Sequence, residues 1–253
     1  MKIFTGTSGY GYKEWKGKFY PDKISADKML TFYSSRLSAV EINNTFYRMP
    51  TVNVVEAWAQ EVPKGFVFAV KAPQIITHVK RLRNVKEETK YFLTTISALG
   101  SKLGPVLFQF PSTFHENLPL LEDFLSFIPP KTTCAFLFRS KTWLHDRTYS
   151  LLSKKSFGLC LEDSDETPVK DIISTAPWGY LRLRRAEYRQ ADLSQWAKAV
   201  LDQKWQKVFV FFKHEDDTAA SGPRLAMSFS ELANGSVPMR EPIFQNSIGA
   251  AVT

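Results

Sequence analysis

Short apolar runs recur along the chain at regular intervals, most of them bounded by glycine, proline or charge. Eight read as strands: "KIFTGTSG" near 2–9, "AVEINNTF" near 39–46, "GFVFAVKAP" near 65–73, "GPVLFQFP" near 104–111, "TCAFLFR" near 133–139, "GLCLED" near 158–163, "GYLRLR" near 179–184 and "KVFVFFKH" near 207–214. Between them, apolar residues at helical spacing predict helices over 26–37, 52–61, 87–99, 118–127, 147–154 and 191–203, with a weaker pattern at 169–174. "RLAMSFSELANG" after Pro223 reads as a closing helix, and residues 236–253 as an irregular tail. Strand and helix alternate throughout, which predicts parallel βαβ units. Eight such units in 253 residues predict a single closed (β/α)8 TIM-type barrel over 1–235, with an open doubly wound sheet as the alternative.

In a parallel barrel, binding and reacting groups gather at the C-terminal ends of the strands. "VEINNTFYRMP" (Val40 to Pro50) looks like a buried strand that nevertheless carries Glu41, Asn43 and Thr45. Alternation puts those three on the inner face at the mouth, and Val40, Ile42 and Phe46 outward against helices. Other strands also end in polar groups: Ser8 and Tyr10 follow strand 1, and Tyr47 and Arg48 follow strand 2. Lys71 ends strand 3, Gln109 strand 4, Arg139 strand 5, and Glu162 and Asp163 strand 6. Arg182 and Arg184 share a face of strand 7, and Lys213, His214 and Glu215 close strand 8.

Composition narrows the class. Hydrophobic residues make up 44% and aromatics 14% of the chain, enough for a sizeable core. No apolar run approaches the roughly 20 residues a spanning helix needs, and "MKIFTGTSGYGY" reads as a strand start instead of a leader. A soluble, cytoplasmic protein with no membrane partner is expected. Cys134 and Cys160 lie inside apolar runs and read as free buried thiols.

The net charge of +8 favours anionic partners. At the barrel mouth, Lys71, Arg139, Arg182, Arg184 and Lys213 outnumber the acids Glu41, Glu162, Asp163 and Glu215, so an anionic ligand is expected there. Tyr10, Tyr12, Tyr47 and Trp143 would stack the bases of a nucleotide or a single strand, or else pack in the core.

Several chemistries fit poorly. The histidines are His78, His115, His145 and His214, and two of them fall in loops without a ligand pattern, so neither a multinuclear metal centre nor a cofactor is expected. A single magnesium or manganese ion on Glu41, Glu162 or Asp163 stays open as an alternative. Strands 4 and 7 carry Gln109 and Arg184 where barrel glycosidases place their paired carboxylates. "GTSGYG" lacks the Lys-Ser/Thr of a phosphate loop. Lys71 reads either as an ion-pair partner of Glu41 or as an amine made reactive by neighbouring cations.

Four stretches carry a resemblance: "GTSGYGYKEWKGKFYP" (6–21), "VEINNTFYRMP" (40–50), "GFVFAVKAPQIITH" (65–78) and "LGPVLFQFPSTF" (103–114). Together they resemble the YecE-like family, a domain family of unknown function. The resemblance runs to about Ala226 and implies a bacterial TIM-type barrel. It places family motif residues on Gly6, Ser8, Glu41, Asn43, Thr45, Lys71, His78, Gln109, Arg139, Asp163 and Arg182, among others. The chain departs from the family pattern at Leu137, where an acid is usual, at Arg184 in place of a histidine, and at Lys213 and His214 in place of two asparagines. Each change removes an acid or adds a cation.

The resulting expectation is a hydrolase or lyase acting on an anionic, phosphorylated or nucleotide-like substrate. Glu41 would be the general acid or base, with Lys71 and Asp163 beside it. Ser8, Tyr10, Asn43, Tyr47, Arg48, Gln109, Arg139, Arg182, Arg184 and Lys213 would hold the substrate. The alternative is a non-catalytic protein that binds nucleic acid or another polyanion.

Overall fold

All eight strands form, and every one is parallel to its neighbours in the computed structural model, which describes residues 1–213 and 220–235. In chain order they are β1 (Lys2–Thr7), β2 (Ala39–Ile42), β3 (Val67–Lys71), β4 (Leu103–Phe110), β5 (Cys134–Phe138), β6 (Gly158–Asp163), β7 (Trp178–Leu183) and β8 (Lys207–Phe212). From β2 onward each pairs with the next, and β8 pairs along its length with β1. Around them lie α1 (Met29–Ser34), α2 (Val52–Glu61), α3 (Lys86–Ile96), α4 (Leu118–Ser126), α5 (Asp146–Lys154), α6 (Gln190–Leu201) and α7 (Ser221–Ala233). The fold is a (β/α)8 barrel, as the alternation predicts. Among the described residues, no helix is long and apolar enough to cross a membrane.

The strands are apolar on both faces because each face meets a different core. Inside the barrel, Phe4 stacks on Phe209 at 4.9 Å, in a layer that includes Leu107, Ala135, Leu137, Tyr180 and Phe211. Outside it, Val40, Phe68, Val106, Phe108, Phe136 and Leu181 belong to the layer beneath the helices. Helix α4 shows how a helix is seated there. Asn117 caps it by accepting from Leu120 N at 3.0 Å, and Leu121, Phe124 and Leu125 form its buried face. Phe124 meets Phe108 edge-on at 5.1 Å, and burial of such a ring contributes about 1.5–3 kcal/mol.

The seam between β1 and β2 closes by different means. No regular ladder joins them; an isolated bridge links Ser8 to Glu41, and Gly9 N donates to Glu41 O at 2.8 Å. Side-chain hydroxyls hold the rest. Thr5 N donates to Ser38 Oγ (2.9 Å), Thr7 N donates to the Tyr33 hydroxyl (2.8 Å), and that hydroxyl donates to Ala39 O (3.0 Å). Tyr33→Phe strands a buried donor and a buried acceptor at once, and is expected to lower unfolding free energy by about 1–3 kcal/mol. Urea denaturation followed by circular dichroism would measure this, and an unchanged midpoint would mean that the hydroxyl does not close the barrel.

Two predicted elements are corrected. Strand β2 stops at Ile42, and Asn44–Phe46 forms a single 3-10 turn. Local hydrogen bonds favour such a turn: Phe46 N donates to Asn43 O at 3.0 Å and Thr45 Oγ1 to Ile42 O at 3.3 Å, while the same hydroxyl also donates to Lys71 O on β3 at 2.7 Å. Thr45 therefore does not line the mouth as a free polar group, and Phe46 does not pack outward as strand alternation implied. Residues 169–174 form no helix either. Side chains tie down both ends of that connection: Val169 N donates to Asp163 Oδ1 (2.9 Å), and Thr175 Oγ1 accepts from Leu159 N (2.8 Å).

Candidate functional site at the barrel mouth

Glu41 stands on the inner face of β2 with no exposed surface. Its Oε1 accepts from Ser8 Oγ (2.8 Å), Asn43 Nδ2 (3.0 Å) and an Arg182 guanidinium nitrogen (3.0 Å), and its Oε2 accepts from the Tyr180 hydroxyl (2.7 Å). Burial would raise the Glu41 carboxyl, but Arg182 and the three neutral donors outweigh it and hold the group at about 2. Arg182 also donates to Gln109 Oε1 (3.0 Å) and Glu162 Oε2 (2.6 Å). Glu162 further accepts from Arg139 (3.2 Å) and lies 3.6 Å from Arg184. Side chains from β1, β2, β4, β6, β7 and the end of β5 thus meet in one network at the C-terminal end of the barrel.

Lys71, at the end of β3, does not form the ion pair with Glu41 that the sequence allowed. Its Nζ lies over the Phe46 ring, 4.1 Å from the centroid, and has no hydrogen-bond acceptor among the described residues. Burial, with Arg182 next, lowers its pKa to about 8. His78 meets the same Phe46 ring edge-on at 4.8 Å, and its Nδ1 is 2.9 Å from the Thr77 hydroxyl. Burial and the neighbouring Lys71 lower His78 to about 4, so the imidazole is neutral at pH 7.

Of the other predicted site residues, Tyr47 (75% exposed) and Arg48 stand on the outer rim. Lys213 is half-buried beside Arg184 and lines a cleft with it. Tyr10 is displaced from the mouth: it packs against the core beneath the helices, 6.2 Å from the Tyr33 ring, because the chain after Ser8 turns outward. Asp163 is also removed from the set, since it sits one residue from Glu162 and so faces the other way. There it is fully buried, bonded to Arg185 (2.8 Å), the Tyr188 hydroxyl (2.8 Å) and Val169 N (2.9 Å), and anchors the segments after β6 and β7. Trp143 is core, its Nε1 donating to Phe114 O at 2.7 Å while the ring stacks on Phe138. His214 and Glu215 lie outside the described residues.

Among the described residues, no group of three His, Cys, Asp or Glu side chains gathers as a metal centre, and guanidinium groups already hold Glu41, Glu162 and Asp163. Cys134 and Cys160 are buried free thiols, and burial raises both. Tyr180 is a participant that sequence reasoning missed, and Phe46 one that alternation placed outward. Tyr180 lies two residues before Arg182 on β7, so alternation alone puts it on the same inner face.

A sequence profile described as "Protein of unknown function DUF72" matches residues 4–245. The UPF0759 protein YunF of Bacillus subtilis (strain 168) is 26% identical over 288 residues, covering 96% of this chain and 100% of that protein. The UPF0759 protein YecE of Escherichia coli (strain K12) is 35% identical over 98 residues, 38% of this chain and 36% of the other. The crystal structure of a DUF72 family protein from Thermotoga maritima MSB8 superposes with a TM-score of 0.81 at 25% identity, covering 92% of this chain and 100% of that one.

Proposed function

The chain belongs to the DUF72 family, and from the chemistry of its barrel mouth we propose that it is an enzyme of lyase type acting on a small phosphorylated or nucleotide-like anion. The observation that carries this reading is the charge excess: Lys71, Arg139, Arg182, Arg184 and Lys213 stand against Glu41 and Glu162. Cations held this close together are stabilised by an anion placed among them. Two buried polar atoms there, Asn43 Oδ1 and Arg182 Nε, have no hydrogen-bond partner among the described residues, as expected of groups that await a ligand.

Glu41 is a poor proton carrier near neutrality, since a carboxyl at about 2 stays ionised throughout. Its role in this reading is to fix Arg182. Proton transfer or attack on a carbonyl falls to Lys71, whose pKa of about 8 leaves a substantial fraction of free amine at physiological pH. Nucleic-acid binding is the weaker reading, because Trp143 and Tyr10 pack in the core and are not free to stack bases.

Pyridoxal phosphate, an anionic aldehyde, is the probe. The Lys71 amine attacks the aldehyde carbon, water leaves, and borohydride reduces the resulting imine to a stable secondary amine. At pH 7.5 Lys71 holds roughly two hundred times more neutral amine than an ordinary lysine. Peptide mapping is therefore expected to find the label on Lys71, with a rate that rises through pH 8 and falls when sugar phosphates or nucleotides are added. Protection by oligonucleotides alone, lost in high salt, would favour polyanion binding. Label spread evenly over surface lysines would sink the proposal.

A further inference from the structure

We propose that the ligand of the barrel mouth is amphipathic, with an apolar arm seated between β5 and β6. This rests on the reading of the mouth as an anion site and names the class of anion. Strands β5 and β6 pair only at Ala135 with Gly158 and Phe136 with Leu159. Their other edges stay paired much farther, β4 with β5 up to Phe110 and Phe138, and β6 with β7 up to Asp163 and Leu183. The sheet is thus intact on both sides of a gap, and the two strand edges that face it lack ladder partners beyond Phe136 and Leu159. Backbone groups left open in this way are costly unless something occupies the space.

A cleft of about 1020 Å³ fills this gap. Leu137 and Phe138 of β5, Leu159 and Leu161 of β6, and Leu144 and Ile173 from the adjoining loops give it apolar walls. Arg139, Arg184 and Lys213 line the same space, with the acids Glu162, Asp165, Glu166 and Asp171 along it, so the apolar slot and the charged mouth are continuous. The Arg139 to Glu162 ion pair, 3.2 Å long, crosses from one parted strand to the other where the two regions meet. A free phosphate would leave most of this volume unfilled, since clefts of this size accommodate drug-sized molecules. A phosphate head on the arginines with an alkyl or aryl arm in the slot matches both halves.

The test is a homologous series of phosphate monoesters, from inorganic phosphate through ethyl, butyl and hexyl phosphate, with phenyl phosphate as the aryl member. Affinity is read by calorimetry and by protection of Lys71 from pyridoxal phosphate. Each added methylene is expected to tighten binding about fourfold. Leu144→Gln and Leu161→Asn should flatten that dependence while leaving inorganic phosphate unchanged; Leu144 is 46% exposed, so its replacement spares the fold. If inorganic phosphate protects Lys71 but chain length has no effect, the arm site is refuted and the anion site stands. A chain-length effect that survives both substitutions also refutes it, because the arm then lies elsewhere. If no member of the series binds, the reading of the mouth falls, and this inference with it.

Discussion

Replacing Arg182 with methionine is expected to destabilise the protein by about 3–5 kcal/mol at pH 7, the usual result of leaving a buried carboxylate without its cation. Arg182 is 3% exposed and Glu41 fully buried, so water does little to make up for the lost pair. Gln109 and Glu162 lose a donor in the same step. The loss depends on pH with a definite sign. In the parent protein Glu41 titrates at about 2, below its ordinary 4.5. Its ionised form therefore stabilises the fold above the ordinary value, and that contribution is lost as pH falls from about 4.5 towards 2. In the variant the unpaired carboxyl is pushed upward instead and takes up a proton, so acid relieves the variant while it weakens the parent. Guanidinium denaturation at pH 7 and pH 4 should show the two proteins converging, and Glu41→Gln added to Arg182→Met should restore much of the lost stability. A constant gap at both pH values would show that Glu41 is not the group Arg182 balances.

Gly6→Ala is expected to be comparably severe for a different reason. A Cβ at position 6 would lie 1.9 Å from Ala39 O, a backbone atom, where even 3.0 Å is almost never seen. Strands β1 and β2 would have to part by more than 1 Å to admit it, and the hydroxyl bonds from Tyr33 and Ser38 reach no further than one normal hydrogen bond. A loss on the order of 4 kcal/mol corresponds to a drop in melting temperature of roughly 8–16 °C for a chain of this size. Gly11→Ala is the control, because nothing lies within 4 Å of the position its Cβ would take. Calorimetry that found both variants within a degree of the parent would mean that the seam has slack the geometry does not suggest.

Much of this architecture is legible in the sequence because strands buried on both faces leave dense apolar runs, and Val52–Glu61 shows its helical spacing directly. The misreadings have local causes. Asn43, Asn44 and Thr45 continue the alternation of β2 in letters, but the backbone curls into a turn there, with the Thr45 hydroxyl donating to Ile42 O and Lys71 O and the Asn43 amide to Glu41. Val169 to Ser174 has helical spacing, yet Asp163 takes the backbone N–H of Val169 at one end, and the Thr175 hydroxyl just past the other end is tied to Leu159 N on β6. The candidate site was visible in outline, since polar residues at strand ends converge in a barrel whatever their chemistry. What spacing could not supply is the number of donors each acid meets. Glu41 reads as an acid or base until four donors are counted around it, and Asp163 reads as its partner until one residue of offset turns it away.

Closure through Glu41 ties two properties of this barrel together. The amide protons of Thr5, Thr7 and Gly9 are held by a serine hydroxyl, a tyrosine hydroxyl and the main-chain carbonyl of Glu41, and the side chain of that same residue answers to Arg182. An anion that draws Arg182 towards itself loosens or tightens its grip on Glu41. Under the proposed anion binding, the rate at which these protons exchange with solvent is expected to report whether the mouth is occupied, delivered from the one seam among the described strands that has no ladder to hold it shut.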